Sequence, residues 1–212
     1  NVDGLALENA GLELDGNGIP LYNSYTGRCG NSSIYIAGDA SNDAPLLHEA
    51  VDEGRIAGTN AGRSLRNPRD IRANTRRVPL SIAFTDPQIA SVGQSLDAVR
   101  KNCSNYAIGE VNFEDQGRAR VINQNCGLLR VYGEQGSGLL LGAEMFGPAA
   151  EHLAHQLAWV IQLRLTVQEV LELPFYHPVL EEGVRTALRD LHQKLHMGSN
   201  AGNSCLSSGP GA

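Results

Sequence analysis

Between residues 78 and 146 apolar and polar residues alternate in short runs broken by glycine, and this pattern restricts the fold more than any other feature of the chain. Leu80, Ile82 and Phe84 alternate with Ser81 and Ala83 and stop at Asp86-Pro87. Residues 106–113, 128–132 and 139–146 are three further strand candidates, separated by turns at Gly117, Gly133, Gly136 and Gly138. A period of two puts successive side chains on opposite faces. Four such runs joined by hairpin-length turns predict a mainly antiparallel sheet. A short helix near 95–101 follows Ser95, a plausible N-cap. Two amphipathic helices close the region. Leu153, Ala154, Leu157, Ala158 and Ile161 recur at helical spacing behind Pro148, and Leu180, Gly183, Val184, Ala187, Leu188 and Leu191 behind Pro178, which reads as the helix-opening residue. The fold class that results is α+β.

The upstream stretch reads differently. Leu12-Glu13-Leu14 stops at the turn Asp15-Gly16-Asn17-Gly18, and Ser33-Ile34-Tyr35-Ile36-Ala37 reads as a buried strand ending at Gly38-Asp39. From 46 to about 65 a helix is expected, with Leu47, Ala50, Val51, Ile56, Ala57 and Ala61 on its apolar face. The chain therefore divides into residues 1–74, 75–196 and a flexible tail, 197–212, composed mostly of Gly, Ser, Ala and Asn. It begins at Asn1 and its only methionines are Met145 and Met197, so it reads as a trimmed piece of something longer.

Composition excludes several classes. Acids outnumber bases 23 to 17, which disfavours a nucleic-acid partner. Six arginines, Arg63, Arg66, Arg69, Arg72, Arg76 and Arg77, crowd into fifteen residues, yet without interleaved aromatics they read as a solvated helix end and linker. No apolar run approaches the roughly 20 residues of a membrane span, and no signal peptide is evident. Cys29, Cys103, Cys126 and Cys205 form no C-x2-C pair and read as isolated core thiols in a reducing, cytoplasmic setting. His152 and His155 have metal-compatible spacing, but no nearby acid or cysteine completes a set, so no metal is expected.

Two constellations carry chemistry. In the first, a strand runs into Gly38-Asp39 and then into a helix start at Leu46-Leu47-His48. A carboxylate there can accept hydrogen bonds from a polyol, and free N–H groups at the helix start can hold developing negative charge. In the second, His177 precedes Pro178, with Glu182 one turn further on. A carboxylate on one imidazole nitrogen fixes the tautomer and raises the basicity of the other. Glu181 competes for the same role.

Taken in order, these motifs resemble the C-terminal half of the class I pyridine nucleotide-disulfide oxidoreductases, most closely the branch that oxidises dihydrolipoamide. Ile34-Tyr35-Ile36-Ala37-Gly38-Asp39 is similar to the family's second flavin motif, and Leu46-Leu47-His48 to the helix start aimed at the flavin ring. Phe84-Thr85-Asp86-Pro87-Gln88-Ile89-Ala90-Ser91-Val92-Gly93 is similar to the opening of the interface domain, and Gly147-Pro148-Ala149-Ala150-Glu151 to a later landmark. His177-Pro178 with Glu182 is similar to the catalytic base and its orienting acid. The resemblance implies a partial FAD-binding domain over 1–74 and an interface domain over 75–196. It implies Asp39, Leu46, Leu47 and His48 as cofactor-binding residues, and His177 and Glu182 as catalytic ones. It also implies a homodimer in which the base serves the partner's flavin, with the Leu153, Leu157 and Ile161 helix near the contact or facing its own sheet. The full-length enzyme would pass electrons from a small dithiol or lipoyl domain through a protein disulfide and FAD to NAD. The adenine-binding glycine loop and C-x4-C pair are absent from this sequence, so the chain alone is expected to retain no FAD and to be inactive. Phe175 and Tyr176 depart from the usual residues before His-Pro. That leaves a sister reductase, such as one for glutathione, as an alternative substrate reading, and a non-catalytic dimerisation module as another.

Overall fold

The computed structural model describes residues 2–195. The predicted tail at 197–212, with Cys205, lies outside them. The chain divides into two compact units, Asn1–Arg76 and Arg77–Ala212.

The first unit is held by isolated bridges, by a 3-10 turn at Gly38–Ser41 and by helix α1, Leu47–Arg66. The strand expected at 33–37 does not form. Only Tyr35 pairs, with Arg28, and Ile34 is 39% exposed. A strand needs a neighbour to satisfy its N–H and C=O groups along its whole length, and here the pairing is two bonds long, Cys29 N–H to the Ile34 carbonyl and Ile36 N–H to the Gly27 carbonyl. The apolar face expected for α1 is corrected as well. Leu47 and Val51 are exposed, whereas Glu49, Asp52, Glu53, Ile56, Ala57 and Asn60 are buried. Glu49 and Glu53 turn inward because Arg76 meets them: its guanidinium pairs with Asp43, with Glu49 at 2.9 Å and with Glu53 at 3.0 Å. The rest of the arginine cluster is dispersed. Arg72 pairs with Asp70, and Arg63 and Arg66 occupy the last turn of α1, where positive charge suits the helix dipole.

The second unit contains a five-stranded, fully antiparallel sheet in the order β1-β2-β5-β4-β3. Its strands are β1 (Leu80–Ala83), β2 (Gln88–Gly93), β3 (Tyr106–Asn112), β4 (Leu128–Glu134) and β5 (Leu140–Gly147). Helix α2 (Leu96–Asn102) follows β2, with Ser95 capping it by accepting the Ala98 N–H, as expected. Helix α3 (Gly117–Val121) lies between β3 and β4. After the sheet come α4 (Ala150–Gln162), α5 (Val167–Leu171) and α6 (Glu182–Lys194). Gly117 thus opens a helix and Gly133 lies inside β4 at a register shift, so neither is the turn anticipated.

Alternation decides which face is covered. Leu129, Val131, Ala143 and Met145 join one large core with α4 and α6, while Tyr132 and Leu141 join a small cluster with Val99 and Cys103. Leu153, Leu157 and Ile161 of α4 belong to that large core and are at most 3% exposed. Their stripe faces the chain's own sheet, which removes it as a dimer contact. Helix α6 packs tightly enough that two glycines are required by space: a Cβ on Gly109 would lie 2.3 Å from the Ala187 carbonyl, and one on Gly183 would lie 2.9 Å from the Phe113 ring.

The thiol reading is also corrected. Cys29 is buried and free, as a core thiol would be, but Cys126 is exposed. No helix among the described residues is long and apolar enough to cross a membrane.

Candidate functional site

In the second unit the segment before α6 carries the histidine. Helix α6 begins at Glu182, four residues after the proline expected to open it. The delay has a visible cause. The Val179 N–H donates to Glu182 Oε2 at 3.2 Å and the Val179 carbonyl accepts from Gln116 Nε2 at 2.8 Å, so side chains hold this turn outside the helix. Leu180 nonetheless packs against the core from that turn.

The turn brings His177 Nδ1 to 2.8 Å from Glu182 Oε1. A carboxylate can only accept here, so Nδ1 carries the proton and Nε2 is left with its lone pair. The imidazole side chain is 80% exposed, while Glu182 is largely covered. The hydrogen bond from His177, then that from the Val179 N–H, holds the Glu182 carboxyl below its ordinary pKa. Glu181, the competing acid, accepts instead from Gln156 Nε2 at 3.2 Å. An oriented imidazole with one open, basic nitrogen can take a proton from a weak acid such as a thiol.

Beside this turn lies an apolar cavity of about 390 Å³, lined by residues that include Trp159, Leu173, Phe175 and Tyr176. Tyr176 is mostly exposed, and the Arg185 guanidinium lies over the Phe175 ring at 5.8 Å.

In the first unit Asp39 sits in the Gly38–Ser41 turn with an exposed carboxylate that takes no side-chain partner among the described residues. Leu46 is the N-cap of α1 and no side chain caps this end, so the N–H groups of the first turn, at Leu47 and His48, are open. His48 itself lies 3.7 Å from Glu49. Open N–H donors and an accepting carboxylate are what a polyol chain with an electron-poor ring needs, and these residues fit that part of a flavin.

Sequence reasoning missed Glu53, Ser41 and Arg76. Glu53 Oε2 accepts the Gly38 N–H at 2.7 Å and lies 3.2 Å from the Ser41 hydroxyl. The signal was present: Glu49 and Glu53 stand four apart on one helix face with no base at the matching positions. His155 Nδ1 contacts its own helix at the Glu151 carbonyl, and no cluster of three metal-ligating side chains occurs among the described residues.

Residues 79–188 match the family model described as the pyridine nucleotide-disulphide oxidoreductase, dimerisation domain. The dihydrolipoyl dehydrogenase of Haloferax volcanii is 33% identical over 196 residues, covering 92% of this chain and 40% of that protein. That of Bacillus subtilis is 32% identical over 187 residues, covering 88% and 39%. Among solved structures, LpdA from Mycobacterium tuberculosis superposes with a TM-score of 0.72 at 26% identity, covering 89% of this chain and 40% of LpdA. The chain thus spans about 40% of the length of the curated relatives it matches.

Proposed function

Because the chain belongs to the pyridine nucleotide-disulphide oxidoreductases through their dimerisation domain, we propose that it supplies the proton-transfer half of a dihydrolipoamide dehydrogenase site. The observation that carries this reading is the His177–Glu182 pair, with Glu182 itself anchored by the Val179 N–H. His177 Nε2 takes the proton from one substrate thiol. Only the thiolate is nucleophilic, so this step enables its attack on a disulfide sulfur, which releases the other sulfur as a thiolate. Glu182 holds Nδ1–H throughout and stabilises the imidazolium that forms.

Asp39 would hold the hydroxyl groups of the FAD side chain, and the open N–H groups at Leu47 and His48, beyond the N-cap Leu46, would face its ring. When bound, FAD supplies the two-electron relay between dithiol and NAD. The active form on this reading is a homodimer in which the domain over 77–195 carries the base, with a small dithiol or a lipoyl domain as substrate.

Tyr176 favours a second reading. A bulky exposed side chain next to the base narrows access, which suits a sister reductase for another disulfide, such as glutathione.

The test is made in a full-length enzyme carrying these residues. His177→Gln is expected to lower kcat by roughly 10² to 10⁴, the range for loss of a general base. Glu182→Gln should lower it less, since an amide oxygen still orients the ring. Dihydrolipoamide should be turned over and reduced glutathione should not. Normal turnover by His177→Gln would refute the assignment.

A further inference from the structure

The buried carboxylate of Glu53 has no place in the chemistry so far, yet it is only 6% exposed and lies directly behind the Asp39 turn. Burying a carboxylate is costly unless it is both paired and hydrogen-bonded, so what holds it shows what it is there to do. Its two oxygens face opposite ways in function. Oε1 lies 3.0 Å from the Arg76 guanidinium, at an angle that supports ionic attraction rather than a hydrogen bond. Oε2 receives the Gly38 N–H at 2.7 Å. The single proton of the Ser41 hydroxyl is shared between the Gly38 carbonyl at 2.8 Å and the same Oε2 at 3.2 Å.

Gly38 and Ser41 are the two ends of the 3-10 turn that presents Asp39. Glu53 stands in α1, whose open N-terminal N–H groups begin six residues before it at Leu47. One carboxylate therefore ties the turn to the helix, and the Arg76 guanidinium is its ion-pair partner there. Glu49 and Asp43 complete the cage around Arg76.

We propose that Glu53, neutralised by Arg76, is a positioning residue that holds the Asp39 carboxylate and the N-terminus of α1 in one fixed arrangement for a bound flavin. This rests on the flavin reading of Asp39 given above. Nothing about Glu53 requires contact with the ligand. Its effect is transmitted through the Gly38 N–H, a charge-assisted bond.

The consequence is a difference between two variants in flavin binding and dichroism that does not simply follow the stability of the fold. Glu53→Gln keeps a carbonyl oxygen for the Gly38 N–H, whereas Glu53→Ala leaves that donor unpaired. The experiment measures FAD dissociation from the full-length enzyme, together with flavin fluorescence and visible circular dichroism. The wild type, both Glu53 variants and Asp39→Ala are compared, and the melting temperature of each apoprotein is recorded. Glu53→Ala is expected to weaken FAD binding by about tenfold or more, the effect of one charge-assisted hydrogen bond. It should also alter the flavin dichroism, and Glu53→Gln should restore both to within about threefold. Two results overturn the proposal. One is Asp39→Ala weakening FAD while Glu53→Ala does not. The other is equal loss in Glu53→Ala and Glu53→Gln in step with a fall in melting temperature. If Asp39→Ala leaves binding unchanged, the flavin reading itself fails, and the two failures are told apart.

Discussion

A carboxylate that accepts two hydrogen bonds resists protonation, and Glu182 accepts one from His177 and one from the Val179 N–H. Its carboxyl is accordingly lowered from the ordinary glutamate value, with the imidazole bond the larger cause. The sign follows from linkage. A group whose pKa is depressed in the folded state contributes fully above its unfolded value and loses that contribution as the pH falls through the depressed one. The His177–Glu182 pair should therefore persist through neutral and mildly acidic solution and separate only below the normal glutamate range. A carboxyl carbon NMR titration of Glu182 checks this, and an inflection at or above pH 4.5, the unperturbed value, would contradict it. Because the imidazole is exposed to solvent, the pair orients more than it stabilises. Glu182→Gln should leave the melting temperature almost unchanged while altering the pH profile of turnover.

At the scale of elements, the contact between β3 and α6 sets where that pair can stand. Helix α6 carries Glu182 at its first position and rests on β3 at Gly109, where any Cβ would meet the Ala187 carbonyl and the Leu191 side chain. Gly109→Ala should push the helix outward and destabilise the fold by about 1–3 kcal/mol, the usual cost of overpacking. Urea denaturation measures the loss, and an unshifted midpoint would show that the contact is slack. The same elements show how far the sequence could be read. Four of the five strands were legible because alternation, as in Leu129, Arg130 and Val131, reports burial directly, whereas β2 was missed. The two long helices after it were legible from complete apolar stripes. Residues 33–37 misled because a β-branched run says nothing of whether a partner strand exists. The buried face of α1 misled because ion pairing with Arg76 outweighed the apolar positions, and that partner stands 23 residues beyond Glu53. Helix α5 was overlooked although its capping box was in view, Thr166 and Glu169 each receiving the other's backbone N–H. In the candidate site, an acid within reach of His177 was legible from spacing. The choice between Glu182 and Glu181 was not, since it depends on where α6 starts, and side-chain bonds to Val179 decide that.

Over the whole molecule, the chain passes from its first compact unit to its second through a connector, residues 67–79, that has no helix or strand of its own. Such a segment invites proteolysis, but this one is tied to the first unit at defined points. Asn60 is fully buried in α1. Its Nδ2 donates to the Arg72 carbonyl at 2.9 Å and to the Thr26 carbonyl at 3.1 Å, and its Oδ1 accepts the Arg72 N–H at 3.0 Å. The Asn74 N–H donates to the Tyr25 carbonyl at 2.9 Å. One amide thus satisfies three backbone groups, two of them flanking the Arg72 side chain. A protease must draw several residues of extended backbone into its cleft, and the bond after Arg72 cannot enter while Asn60 holds both sides of that residue. The bonds after Arg66 and Arg69 lack this clamp and carry exposed side chains. Trypsin under native conditions should therefore cut first after Arg66 or Arg69 and spare Arg72. Asn60→Ala leaves all three backbone groups unpaired, at about 1–3 kcal/mol for each buried group, and should make the bond after Arg72 the most sensitive in the connector. Mass spectrometry of the early fragments distinguishes these outcomes, and rapid cleavage after Arg72 in the unaltered protein would show that the Asn60 clamp does not hold.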